Sequence, residues 1–196
     1  MNKEFSVRHW ITHSTDLVAD CRVFSVHRNL SSRSPEDLKH HFYIVRPSNW
    51  VNVIPITEDG QVVLIEQYRH GIGGITLEIP GGMVDAEDGG SNIAAERELL
   101  EETGYKGAEL HFLGCNHPNP ALQPNICDTY LSVNARHIQV PNFDSTEEIA
   151  IRLVPIKDIP TLISSGQISH ALVIVAFQYL QLFCIQNPQY GHLNPF

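Results

Sequence analysis

Glu98, Glu101 and Glu102 fall within Ala95-Glu96-Arg97-Glu98-Leu99-Leu100-Glu101-Glu102-Thr103-Gly104, a run whose spacing reads as helix and sets three carboxylates on one face. At an effective dielectric of about 20 and a separation of about 6 Å, each like-charged pair costs on the order of 3 kcal/mol before screening. No lysine lies within the run to relieve them. A divalent cation would, and hard cations such as Mg²⁺ take oxygen ligands and share their sphere with substrate phosphates. Arg97 comes within reach of Glu101 four residues on, where its planar fork can hold a carboxylate in one orientation. Ile93 and Leu100 fall on the far side of the helical wheel and Leu99 on the flank, an apolar surface expected to be buried. Ala94 and Ala95 are expected to keep the acidic side narrow for an approaching loop, and Gly104 suits a left-handed stop.

Upstream, Leu77-Glu78-Ile79-Pro80-Gly81-Gly82-Met83-Val84-Asp85 reads as an apolar strand ending in a break where bare backbone can approach a ligand. Alone, a charge run at this spacing also describes a solvated helix face. The glycine break and Arg97 set this one apart. Gly81-Gly82 followed by Arg97-Glu98-Leu99-Leu100-Glu101-Glu102-Thr103-Gly104-Tyr105 resembles the signature of the Nudix hydrolases. The front half departs from that signature: Asp88 keeps the expected spacing from the glycine but lies one residue too far from Arg97. Either Asp88 or Glu87 must then supply the missing acid through a longer loop, with Gly89-Gly90 absorbing the insertion.

The resemblance implies a single Nudix-type α/β/α sandwich with a mixed central sheet. It makes Glu98 and Glu102 the metal ligands, Glu101 a further ligand or orienting group, and the Gly81 carbonyl a backbone ligand for Mg²⁺, with Mn²⁺ as a substitute. Gln67-Tyr68-Arg69, Leu77 to Gly82, Ser145-Thr146-Glu147-Glu148-Ile149 and Gly166-Gln167-Ile168-Ser169-His170-Ala171 extend the similarity to the ADP-ribose pyrophosphatase branch. In that branch Arg69 would reach the nucleotide or its phosphates, and Glu78 would lie near the adenine or the metal shell. A glutamate from a loop after the signature serves there as general base. Glu147 and Glu148 lie in such a polar loop, Glu148 slightly favoured, with Glu98 as a third candidate and Arg97 orienting the acids. Asn116 to Asn125 lacks the Pro-Gly and acid usual at that place, and Asn119 within it offers an amide to a ribose or base.

The formal charge of −9 argues against general affinity for nucleic acid, which rests on lysines and arginines neutralising phosphates. With 42% apolar residues in 196, the chain can bury one full core. Its four cysteines show no metal-ligand spacing, which suggests reduced thiols and a cytoplasmic setting, and its eleven histidines read as surface or satisfied core residues. No span of about 18 apolar residues is present, and Ile168 to Ile185 reads as a buried amphipathic helix, so no membrane partner is expected.

Residues 1–46 alternate apolar and polar as an antiparallel strand annex, and 47–196 read as the main domain. Thr57-Glu58-Asp59-Gly60 marks a hairpin between two apolar strands. In the pyrophosphatase branch such an annex packs against a partner subunit, which implies a homodimer. The expected activity is Mg²⁺-dependent hydrolysis of a nucleoside diphosphate linked to another group, ADP-ribose or another ADP-sugar first. The alternatives are a nucleoside triphosphate pyrophosphohydrolase and a nucleotide-metabolite sensor that does not cleave.

Overall fold

A computed structural model describes residues 6–143 and 148–196, and divides the chain into two units. One comprises the chain up to Ser48 together with His117–Asn125. Its strands β1 (Ile11–Asp20), β2 (Phe24–Ser32) and β3 (His40–Pro47) form an antiparallel sheet in the order β1-β2-β3. The loop from His117 joins this unit because the Val45 N–H donates to the Leu122 carbonyl, at 2.9 Å. A boundary at residue 46 drawn from sequence does not include that loop. Among the described residues no apolar side chain of this unit is fully buried, and Trp10, Leu17, Val18, Phe42 and Tyr43 are exposed.

The other unit holds the central sheet. Its elements run β4 (Trp50–Ile56), β5 (Gln61–Arg69), β6 (Gly74–Glu78), β7 (Gly81–Met83), α1 (Ser91–Thr103), β8 (Tyr105–Lys106), β9 (Glu109–Asn116), β10 (Cys127–Val133), β11 (Arg136–His137), β12 (Ile149–Pro155), α2 (Ile159–Ser164) and α3 (Ala171–Gln186). Strand order is β12-β5-β4-β10-β9, with β6 on β5 and β7 on β4. The sheet is mixed, because β10 runs parallel to β4 while the other pairings are antiparallel.

Side-chain alternation along β4 builds two cores. Val51 and Val53 face α1 with Ala94, Ala95, Leu99 and Tyr130, whereas Ile54 and Ile56 face α3 with Phe177, Leu180 and Leu131. Helices therefore cover both faces, as the sandwich expectation requires.

The stretch from Leu77 to Asp85 is two strands, not one. Ile79-Pro80 carries the chain from the β5 partner to the β4 partner, and the Pro80 carbonyl accepts from the Val53 N–H. That step leaves Gly81 and Gly82 beside α1.

Burial on α1 also differs from the wheel expectation. Ala94, Ala95 and Leu99 are buried on the same side as Glu102, while Ile93 is 48% exposed. The alanines bring the helix close to β4, so the acidic stripe lies at the edge of the buried face. Gly104 ends the helix at φ +71°, its N–H bonded to the Leu100 carbonyl.

Candidate active site

Arg97 is the hub of the acidic helix. Its Nε and Nη2 donate to the two oxygens of Asp88 at 2.8 and 2.9 Å, a bidentate pair. Nη1 donates to Glu98 Oε1 at 2.9 Å and to Glu101 Oε2 at 3.0 Å, and Nη2 also reaches the Met83 carbonyl at 3.0 Å. One guanidinium thus relieves the repulsion among three carboxylates and ties the helix to the end of β7. The Asp88 carboxyl is held below its ordinary range mainly by the hydrogen bond from Arg97, with the Asp85 N–H adding to it. The same carboxylates raise the Arg97 pKa.

Of the two alternatives for the missing acid, Asp88 is the one whose carboxylate pairs with Arg97. Glu87 is exposed, and Gly89 takes up the extra residue in a left-handed conformation, φ +71°.

Glu102 is 4% exposed and its Oε2 accepts the Gly81 N–H at 2.9 Å. Glu98 lies against the bare backbone of Gly82, where an added Cβ would come within 2.5 Å of Glu98 Oε1. At Gly81 a Cβ would meet the Val51 carbonyl at 2.2 Å. Main chain excludes a Cβ at Gly81, whereas at Gly82 a Cβ would displace the Glu98 carboxylate.

Gly81 and Gly82 also line a cavity of about 460 Å³. Trp50, Ile72, Ile79, Met83 and Leu172 give it apolar walls, and Asn52, Arg69, Thr76, Glu78 and His170 supply polar groups. Arg69 grips Glu78 with Nε and Nη2 at 2.9 and 2.8 Å, and the Thr76 hydroxyl donates to Glu78 as well. Burial at 3% exposure pushes the Glu78 pKa up, but the hydrogen bonds from Arg69 and Thr76 with the nearby positive charge outweigh it and leave it lowered. Asn52 Nδ2 and His170 Nδ1 are buried without a hydrogen-bond partner among the described residues. His170 is thus not the satisfied histidine that its sequence context suggests. Asn52 carries a usable signal, a lone amide in the otherwise apolar Val51-Asn52-Val53-Ile54; His170 carries none.

Of the residues singled out from sequence, Arg97, Glu98, Glu101, Glu102 and Gly81 are brought together on α1 and β7, with Arg69 and Glu78 in the adjoining cavity. Asn119 belongs to the other unit, where its carbonyl accepts from Leu122 and Gln123. Glu148 is exposed immediately before β12, and Glu147 lies outside the described residues.

Residues 47–175 match the NUDIX domain family model. The chain belongs to the Nudix family. Every cavity residue and the whole Arg97 network fall inside the matched segment. An ADP-ribose pyrophosphatase of Bacillus subtilis (strain 168) is 27% identical over 71% of this chain and 75% of its own length. A methanol dehydrogenase activator of Bacillus methanolicus is 30% identical, again over 71% of this chain and 75% of its own. Among solved structures, an ADP compounds hydrolase superposes with a TM-score of 0.81 over 93% of this chain and 98% of that one, at 20% identity, and so shares the fold.

Nudix hydrolases use divalent cations. Here the donors of α1 are all carboxylate oxygens, the type a hard cation takes, and Glu98 and Glu102 are largely withdrawn from water at 15% and 4% exposure. Among the described residues no three acidic, histidine or cysteine side chains converge on one point. What converges is Arg97. The residues fit a divalent cation in kind, with Arg97 holding Glu98 and Glu101 against one another's charge.

Proposed function

We propose that this Nudix protein hydrolyses the diphosphate bond of ADP-ribose or another ADP-sugar, releasing AMP and a sugar phosphate. The observation that carries the reading is the shared Gly81-Gly82 edge: it meets Glu98 and Glu102 of the acidic helix and also lines the cavity. A diphosphate laid along that edge would have its charge beside the helix carboxylates and one flanking group in the cavity. The named pyrophosphatase relatives support the same chemistry, among them a mouse ADP-sugar pyrophosphatase, 47% identical over 29% of this chain and 28% of its own length.

Glu98, Glu102 and Glu101, with the Gly81 carbonyl, would hold Mg²⁺ or Mn²⁺, which neutralises phosphate charge and acidifies water when bound. Arg97 fixes the orientation of Glu98 and Glu101. Arg69, clamped to Glu78, would reach the substrate's phosphates. The proton of the attacking water passes to a loop carboxylate, Glu148 first and Glu147 second, or to Glu98. We assign the protein to the cytoplasm as a homodimer. All four cysteines are unpaired thiols, and the first unit's sheet, which among the described residues has no fully buried apolar side chain and leaves Trp10, Leu17, Val18, Phe42 and Tyr43 exposed, calls for a partner surface.

Purified protein incubated with Mg²⁺ and a panel of ADP-sugars, other nucleotide sugars and nucleoside triphosphates tests this. AMP and sugar phosphate as products, abolished by a chelator and restored by Mg²⁺, support it. Release of pyrophosphate from triphosphates alone assigns the triphosphate activity instead, and retention of ligand without turnover assigns a sensor. Glu147→Gln and Glu148→Gln, made separately, identify the base, and two unaffected variants move it to Glu98.

A further inference from the structure

We propose that Asn52 and His170 are the specificity-determining residues of the cavity, and that they read the hydrogen-bonding edge of the substrate's adenine base. The inference rests on the ADP-sugar reading and adds which end of the substrate the cavity takes and which side chains recognise it.

Among the polar side chains lining the cavity, Arg69, Glu78 and Thr76 bond to one another, and His70 lies at its margin beside Tyr68. Asn52 and His170 line the same cavity, and their Nδ2 and Nδ1 atoms are buried with no partner among the described residues. Burying a polar atom without a partner is costly, so two lining residues that each carry one are held for something that completes them. An amide presents a donor and an acceptor, and an imidazole nitrogen presents either according to its tautomer.

The walls decide between base and sugar. A sugar carries a hydroxyl on nearly every ring carbon and needs polar lining all round. A nucleobase is apolar on both faces and confines its hydrogen bonding to its rim. Trp50, Ile72, Ile79, Met83 and Leu172 offer apolar faces, and of the polar lining residues Asn52 and His170 carry the unpartnered atoms, Arg69, Thr76 and Glu78 being bonded to one another. The volume of about 460 Å³ accommodates a nucleoside.

Asn52→Leu, His170→Phe and the conservative His170→Gln in the full chain test the proposal on two substrate series. One series fixes the sugar and varies the base, as ADP-glucose, UDP-glucose and GDP-glucose. The other fixes the base and varies the sugar, as ADP-ribose and ADP-glucose. Asn52→Leu and His170→Phe are each expected to narrow the discrimination between ADP-glucose and UDP-glucose about tenfold, through KM more than kcat, and to leave the ADP-ribose to ADP-glucose ratio in place. His170→Gln should restore part of the loss. Calorimetric titration of adenosine needs no turnover, and its affinity should fall about tenfold in Asn52→Leu and His170→Phe.

Unchanged base discrimination in correctly folded variants overturns the proposal, as does a shift confined to the sugar series. Failure of the wild-type protein to bind adenosine overturns it independently. If the wild type binds adenosine, the variants bind it more weakly and no ADP-sugar is cleaved, the base seat stands and the hydrolase reading falls.

Discussion

The main-chain N–H of Gly81 donates to Glu102 Oε2 over 2.9 Å, so an acid on α1 is aimed by the end of a strand in the sheet that the helix covers. The carboxylate is 4% exposed, and the backbone donor fixes one of its oxygens.

Glu102→Gln separates charge from shape. The amide oxygen can still accept the Gly81 N–H, so the thermal midpoint should stay within a few degrees of wild type. Turnover should fall at least about a hundredfold, equivalent to roughly 2.7 kcal/mol of barrier. Steady-state kinetics beside a melting curve checks both halves, and near-normal turnover would remove Glu102 from the site.

Gly81→Ala and Gly82→Ala should fail differently. At Gly81 the new Cβ meets the Val51 carbonyl at 2.2 Å, and because main chain cannot step aside, β7 must leave β4 at a cost of about 2 kcal/mol or more. At Gly82 the clash is with the Glu98 carboxylate at 2.5 to 2.9 Å, the far end of a flexible side chain. Gly82→Ala should therefore melt close to wild type yet lose most of its activity. Differential scanning calorimetry paired with the ADP-sugar assay distinguishes the two, and equal melting losses would count against this reading.

These contrasts mark what the sequence could reveal. Helical spacing was enough to put Glu98, Glu101 and Glu102 on one face and Arg97 beside Glu101, because geometry along a helix is local. It placed the buried surface of α1 at Ile93 and Leu100, because local spacing alone does not tell which side is buried. That depends on β4, against which Ala94 and Ala95 allow a close approach that Ile93 and Leu100 on the far side never make. The Asp59-Gly60 hairpin was legible for the same local reason. That Asn52 and His170 line one cavity was not: β4 and the start of α3 are far apart in sequence, and neither residue belongs to a periodic pattern.

Glu78 predicts how stability responds to acid. Its folded pKa lies below its ordinary 4.5, so the unfolded chain binds the proton more readily. The stabilisation is complete above that ordinary value and is lost as pH falls through the folded one. Unfolding midpoints in denaturant measured between pH 6 and 3 should drop on the acid side, and Glu78→Gln should flatten that limb. Arg69→Met at neutral pH leaves a buried carboxylate without its clamp and should cost about 1–3 kcal/mol. The double variant Arg69→Met with Glu78→Gln should recover part of that loss, and strict additivity in the cycle would show that the two are not coupled.

Asp88→Asn tests whether the acid outside the helix controls the acids on it. Asp88 holds two of the Arg97 nitrogens, and Arg97 in turn holds Glu98 and Glu101 through Nη1. An amide cannot accept two guanidinium N–H groups in the carboxylate's bidentate manner, so the fork loses its outer anchor and is drawn further onto the helix acids. Turnover should fall about tenfold or more while the melting point moves by only a few degrees, since Arg97 is 27% exposed and retains its other partners. Glu87→Gln is the matched control. Glu87 is exposed and pairs with none of these groups among the described residues, so its loss should leave turnover within about twofold. If Glu87→Gln fell as far as Asp88→Asn, the longer loop would be feeding the site through the other acid, and the Arg97–Asp88 pair would be incidental to catalysis.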